Sequence, residues 1–297
     1  RREVKDARAD RGFRWLVTGA GMLVLVSLGA AAFSMFWGGR AALEKFGIAF
    51  LWTDVWDPVL QDFGALVPIY GTLVTALIAM IIAVPVSFFI AIFLTEIAPK
   101  WLRGPVGTAV ELLAGIPSII YGMWGLFVLV PFLAEHVYPW LDSTIGPIPG
   151  IGVFFSGPPL GLGMGTAGLV LAIMVIPFIS SVMREVFLTV PGRLKESAYA
   201  LGLTPFQTFV YILLPQSLKR VTPSAINLFT RMVKTSSLAM LIGVVEVIKV
   251  GQQIIEHSLF SNQSAALWIY GVIFGLYFVI CYPLSLFSRY LETRWES

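Results

Sequence analysis

Residues Phe63 to Thr95 run without a single Asp, Glu, Lys or Arg. A helix needs about 20 apolar residues to cross a bilayer, and this stretch exceeds that. In water a helix that is apolar on every side has nowhere to hide its surface. The same pattern recurs along the chain of 297 residues. Trp15 to Trp37 and Leu112 to Ala134 are further candidate spans. Ser143 to Met183 is also uncharged, but it opens on "GPIPG" and "SGPP", which are loop signals, so its helix is placed at about Leu162 to Met183. A fifth span covers about Ser224 to Val245 and carries two cations, and a sixth covers about Ala265 to Ser288. Charged residues make up 12% of the chain and hydrophobic residues 57%. A soluble domain carries roughly 25% charged residues, so there is too little polar surface to coat a water-soluble globule. The expected fold class is therefore an all-α integral membrane protein with six transmembrane helices.

Orientation follows from Lys and Arg placement. With six spans both termini share a side, and that side collects fifteen Lys and Arg against three opposite, with two inside the fifth span. Both termini are expected in the cytoplasm. The layout is then a cytoplasmic N-terminus at 1–14, a first helix at 15–37 and an extracytoplasmic loop at 38–62. A core at 63–288 with five further helices follows, then a cytoplasmic tail at 289–297. The first apolar run is too long for a cleavable signal peptide and has no small-residue cleavage site after it, so it reads as a retained helix. Trp52, Trp56, Tyr138 and Trp140, in the outward loops, suit an interfacial aromatic belt.

Catalytic and metal chemistry find little support. The lone Cys281 excludes an internal disulfide, and His136 and His257 have no metal-ligand spacing around them. No G-x-x-x-x-G-K-[ST] occurs, so the chain does not cradle ATP in a P-loop. Neither H-E-x-x-H nor a cluster of carboxylates is present. This counts against an integral membrane enzyme such as a lipid-phosphate transferase. No cofactor, catalytic residue, metal site or nucleic-acid partner is expected.

One polar passage interrupts the apolar chain: "KESAYALGLTPFQTFVYILLP", from Lys195 to Pro215. Leu194, Ala198 and Leu201 fall four and three residues apart and so share one helical face. Gly202 and Pro205 are expected to end a first short helix. A second piece runs to Leu214 before Pro215. A helix this short is marginal alone in water and needs packing, against its own protein or in a partner's groove.

Glu196-Ser197-Ala198, three residues, Gly202, nine residues and Ile212-Leu213-Leu214-Pro215 together resemble the "EAA" loop of ATP-binding-cassette importer permeases. The pattern there is E-A-A, three residues, G, nine residues, I-x-L-P, and Ser197 is the only departure. The resemblance implies a type I importer permease fold with a cytoplasmic coupling loop at 186–218. Glu196, Ser197, Ala198, Leu201, Gly202 and Pro215 would seat on a separate ATPase. It also implies a second permease subunit, two ATPase subunits that use ATP and Mg, an extracytoplasmic substrate-binding protein and a multi-pass place in the bacterial inner membrane. The ATPase activity would belong to the partner, not to this chain. A non-transporting scaffold would account for neither the loop nor the intramembrane cations.

Residues 41 to about 200 resemble the C-type permease of phosphate-specific transporters. The runs "KFGIAFLWTDVWDP", "ELLAGIPSIIYGMWGLFVLVPF" and "GLVLAIMVIPFISSVMREVF" carry this resemblance. From about Phe206 the chain looks more like permeases for polar amino acids, through Lys234-Thr-Ser-Ser-Leu238, Ile242-Gly-Val-Val-Glu246 and Gly251-Gln-Gln-Ile254. Where the phosphate family carries Gly-Glu-Thr shortly after an Arg, this chain has Lys234-Thr235 after Arg231. Phosphate uptake is the expected function, with polar amino-acid uptake as the alternative.

Arg231 and Lys234 are three apart and share a helix face. An ionisable residue inside a span costs ~2.5–3.5 kcal/mol on insertion scales and defaults to a functional reading. The two cations, with Thr235 and Ser236, are the expected lining of an anion pathway. The alternative is a structural pairing with an acid such as Glu111. Glu111 itself is expected to open the third span, where an acid suits the helix dipole. Glu246 and Glu256 read as solvated acids at the outer end. Pro117, Pro131, Pro177 and Pro283 are expected to break their spans, and Gly122, Gly125, Gly161 and Gly165 to mark close helix packing.

Overall fold

A computed structural model describes residues 2–57, 62–150, 152, 159–189, 192–258 and 265–296. Twelve α-helices appear among them, joined by π-helical and 3-10 turns. The first, α1, is Arg2–Phe46. Residues 2–14 thus continue into the first span rather than forming a separate tail. Strands β1 (Trp56–Asp57) and β2 (Asp62–Phe63) pair antiparallel, Trp56 opposite Phe63. The side chain of Trp56 lies outside the described residues.

Helix α2 (Leu66–Ile92) runs into a π turn at Phe93–Ile97, and α3 (Lys100–Ala114) follows. The third span was expected to begin at Leu112, but α3 contains that residue. Gly115 caps α3, and Pro117 forces the chain extended before α4 (Ser118–Trp124) starts. The span then continues through α5 (Val130–Phe132) and α6 (Tyr138–Thr144), with π turns between them at Gly125–Leu129 and Leu133–Val137. It therefore runs past Ala134, because the wider turns carry the chain through Pro131 and Glu135 without ending the helix.

Helix α7 (Met164–Leu188) is followed by α8 (Gly192–Ala200) and α9 (Pro205–Thr208). A π turn at Phe209–Leu213 leads into α10 (Leu214–Thr235). The coupling loop expected at 186–218 is therefore bounded by helices that begin and end inside it. Helices α11 (Val247–Ser258) and α12 (Ala265–Glu296) complete the order, and α12 takes in most of the expected tail. Among the described residues, five helices are long and apolar enough to cross a membrane. A sixth is counted if Val221–Ile242 and Val247–His257 form one bent crossing. Pro177 and Pro283 sit inside continuous helices rather than breaking them.

The chain divides into two compact units. The first comprises Arg1–Gly64 with Gly251–Leu276. Within it the ring of Trp268 occupies the space a Cβ on Gly38 would need, and Met35 closes on Gly271. Small residues on both helices allow this approach.

The second unit comprises Ala65–Val250 with Tyr277–Ser297. Its core is the α2–α7 pair. Ala76, Ala79, Met80 and Ala83 of α2 meet Leu171, Ala172, Val175, Ile179 and Met183 of α7, and Leu228, Met232 and Val233 of α10 join them. These positions recur every three or four residues, which puts one narrow stripe of each helix inside. Gly168 lies so close to Ile78 that a Cβ there would overlap it. The Ser87 hydroxyl donates to the Ile176 carbonyl at 3.1 Å and ties α2 to α7 inside the core. The four glycines read as packing points are close contacts: Gly122 against Leu241, Gly125 against Val170, Gly161 against the Val130 carbonyl and Gly165 near the Tyr138 hydroxyl.

Candidate functional site

Two features of the second unit carry chemistry: the polar end of α10 with the break after it, and the α8–α9 hairpin.

Helix α10 ends at Thr235 and tightens into a 3-10 turn over Ser236–Ile242, closed by Gly243 with φ at 82°. The expected continuous span to Val245 is thus interrupted. The local sequence explains it. The Thr235 hydroxyl donates to the Arg231 carbonyl at 3.1 Å and the Ser236 hydroxyl to the Val233 carbonyl at 2.8 Å, offering the backbone partners other than the next helical turn. Gly243 then takes the left-handed conformation that bulkier residues avoid.

The four expected pathway residues separate accordingly. Arg231 and Lys234 are both exposed, on the last two turns of α10, where carbonyl ends favour a cation. The Arg231 guanidinium lies 4.1 Å from the centre of the Phe178 ring, one residue beyond Pro177 of α7. That stacking holds a charge against an apolar wall while leaving its edge open. Thr235 and Ser236 turn their hydroxyls back onto their own helix. Glu111 is no partner for the cations. It sits near the end of α3, not at the start of a span, and accepts from Arg184 of α7 at 3.4 Å.

Beyond the break, Glu246 is fully buried, not solvated as expected. Its carboxylate accepts from the backbone N–H of Ile248 at 2.8 Å and from that of Lys249, so it caps the start of α11. The Val247 N–H donates to the Thr72 hydroxyl of α2 at 3.3 Å. Gly71 leaves room for the Val245 carbonyl, which a Cβ there would strike. The break is therefore clamped onto α2 at Gly71-Thr72. Composition alone could not separate a capping Glu from a solvated one. The signal was Glu246 falling just before a helical stretch with a Gly three residues earlier. Glu256 is exposed, as expected.

The hairpin is built by local rules. Gly202, with φ at 83°, ends α8. Its N–H donates to the Tyr199 carbonyl at 3.0 Å, and the Leu203 N–H donates to the Ala198 carbonyl at 3.1 Å. These two bonds form a Schellman cap. Pro205 does not stop α8, as was expected; it opens α9. Thr204 caps that helix, accepting from the Gln207 N–H at 3.2 Å while the Gln207 side chain accepts from the Thr204 N–H at 2.9 Å. Pro fits the first helical turn because its missing N–H is not needed there. Pro215 likewise continues the helix rather than ending it. The π turn over Phe209–Leu213 widens the backbone just ahead of it, with the Leu214 N–H bonding back to Phe209.

Ala198 is buried, and Glu196 and Ser197 are exposed on α8. Leu201 does not share the Ala198 face. It lies past the last helical residue and is 80% exposed; Phe206 and Tyr211 are exposed as well. Of the aromatic residues expected in the outer loops, Tyr138 and Trp140 lie in α6; the Tyr138 hydroxyl pairs with that of Thr166 at 2.7 Å, so its polar end is held by the protein, while Trp52 and Trp140 are exposed. No group of His, Cys, Asp and Glu among the described residues is arranged to hold a metal ion.

Comparison with known proteins places these features in a family. A phosphate transport system permease protein, PstC, of Xylella fastidiosa is 64% identical over 214 residues, covering 72% of this chain and 66% of that protein. The PstC of Pasteurella multocida is 55% identical over 194 residues, covering 65% of this chain and 61% of the relative. The chain thus spans just under two thirds of the length of these relatives. A solved structure of an amino acid ABC transporter with histidines superposes with a TM-score of 0.54 at 22% identity, over 75% of this chain and 90% of that one, which establishes a shared fold. The family model for the binding-protein-dependent transport system inner membrane component matches residues 83–297. With that match running from α2 through the hairpin and the broken span to the last helix, the chain belongs to the family of binding-protein-dependent transport inner-membrane components.

Proposed function

We propose that the chain is the permease subunit of an ATP-driven importer of inorganic phosphate. The observation that carries the substrate is the 64% identity to a phosphate transport system permease. The fifteen-to-three Lys and Arg asymmetry supports a cytoplasmic side for both termini and the α8–α9 hairpin. There Glu196, Ser197, Ala198, Leu201, Gly202 and Pro215 shape the element that docks on an ATPase subunit. The exposed Leu201, Phe206 and Tyr211 give that element an apolar rim suited to a partner groove. ATP and Mg belong to that partner. A second permease chain completes the pathway, two ATPase subunits sit beneath, and a substrate-binding protein delivers phosphate from outside.

Arg231 and Lys234 supply the positive charge on the pathway side of α10, and Thr235 and Ser236 fix the turn that presents it. ATP-driven closure of the ATPases moves the hairpin, and the packed α2–α7 core carries that movement to the broken span by rocking rather than by unfolding. A second reading, uptake of a polar amino acid, is favoured by one observation. Lys234-Thr235 follows Arg231 in the sequence from Phe206 onward that resembles amino-acid permeases, and a cation pair serves a carboxylate as well as a phosphate.

Uptake of labelled phosphate and of labelled polar amino acids, in cells supplying each set of partner subunits in turn, decides between them. Phosphate uptake with phosphate-system partners is expected. Amino-acid uptake alone would replace the first reading with the second. In the same assay Glu196→Lys abolishes uptake while the chain stays in the membrane. Uptake at the unaltered level would remove the coupling role.

A further inference from the structure

The geometry points to a Lys195–Glu96 ion pair as the strut through which the α8–α9 hairpin drives helix α2. This rests on the permease reading above. Lys195 Nζ lies 2.6 Å from Glu96 Oε1, across 99 residues of sequence. Both side chains are mostly covered, at 29% and 25% exposure. An ion pair in that setting is screened less by salt and water than one on the open surface.

The two ends of the strut differ in firmness. Around α8 little else is anchored: Ala198 is its only buried residue among those described. Around Glu96 the corner is braced. Arg103 Nε donates to the Ala98 carbonyl at 2.7 Å, its Nη2 donates to the Glu96 carbonyl at 3.4 Å, and the Thr95 hydroxyl donates to the Ala91 carbonyl at 2.9 Å. Glu96 closes the π turn that extends α2, and α2 is the helix whose other end clamps the break at Gly71-Thr72. A load on Lys195 therefore enters a fixed corner and runs along α2, which stays continuous through Pro85, to the clamped break. Another cross-element pair, Arg184 with Glu111, ties α7 to α3 and does not touch the hairpin. Lys195 and Glu96 are positioning residues; neither meets substrate.

The test uses the assembled transporter, with its ATPase and binding protein, reconstituted in vesicles. Labelled phosphate moved is measured against ATP hydrolysed. Lys195→Glu and Glu96→Lys are each expected to lower phosphate moved per ATP by about tenfold, a coupling loss of ordinary size. The swap carrying both changes is expected to restore the ratio, and Lys195→Arg to keep it. A purely structural pair would instead lower the amount of assembled complex and leave the ratio alone, which overturns the strut. So would unaltered ratios in the single variants, or a swap that fails to restore. If the unaltered complex hydrolyses ATP and moves neither phosphate nor a polar amino acid, the importer reading falls and takes the strut with it. Loss confined to the variants leaves the importer reading standing.

Discussion

Helices α1 and α7 are both long enough and apolar enough to cross a membrane, yet they have opposite relations to the protein. In α7, 61% of the most apolar window is buried inside the structure; in α1 none of it is. Phe13, Trp15, Leu16, Leu23 and Leu25 of α1 are all exposed, whereas Leu171, Ile179 and Met183 of α7 are fully covered. Apolarity cannot be the cause of the difference. Lipid tails solvate Leu as well as another helix does, so contact in a membrane depends on close steric fit and on polar ties. Helix α7 has both, through Gly168, Ala172 and the Ser87 bond from α2. Outside its contact at Met35 and Gly38, the described part of α1 makes no such fit, small residues notwithstanding, and its exposed large side chains are available to lipid.

If fit decides, filling the fit should hurt most. Ala172→Leu places a large side chain where exposure is 0%. Such overpacking costs about 1–3 kcal/mol, so thermal unfolding of the purified chain in detergent should shift down by several degrees. An unchanged unfolding temperature would break the distinction between the two helices. Glu246→Ala sits between the extremes. It removes the cap of α11 and should cost about 1–2 kcal/mol. Its effect should appear first as faster hydrogen exchange at Ile248 and Lys249, the two amides it holds. At the small end, Leu25→Ala in α1 should change stability by no more than about 0.5 kcal/mol. A larger loss in the isolated chain would show that α1 is packed after all.

The same contrast explains what the sequence could reveal. Five of the six expected spans were readable, because uncharged length is a property of the segment itself; the other is a bent pair. The hairpin was readable for a similar reason: Gly202 acts on neighbours a few residues away, although the equally local capping box of Thr204 and Gln207 was not anticipated. Its details still differed, since Pro205 and Pro215 open or continue helices where a stop was expected. Which turn accommodates a proline depends on the backbone before it. The break after Thr235 was not expected, although "KTSS" contains the hydroxyls that cause it. Glu246 and Glu111 were misplaced because their partners, Thr72 with the α11 amides and Arg184, are set by tertiary packing. Lys195 was visible as a basic residue, but nothing in the spacing connects it to Glu96 ninety-nine positions earlier.

Among the described residues, the hydrogen bonds that close the α8–α9 turn lie between Ser197 and Gln207. No residue of any membrane helix is needed to close it. A turn that specifies itself behaves as a cassette: it keeps its shape whichever helices precede or follow it. Genetic exchange at this point would preserve the docking element while replacing the pathway beyond it. Such exchange would account for the amino-acid reading, proposed above, of the sequence from Phe206 onward. It also makes this turn the natural splice site for building transporters that keep one motor and change their cargo.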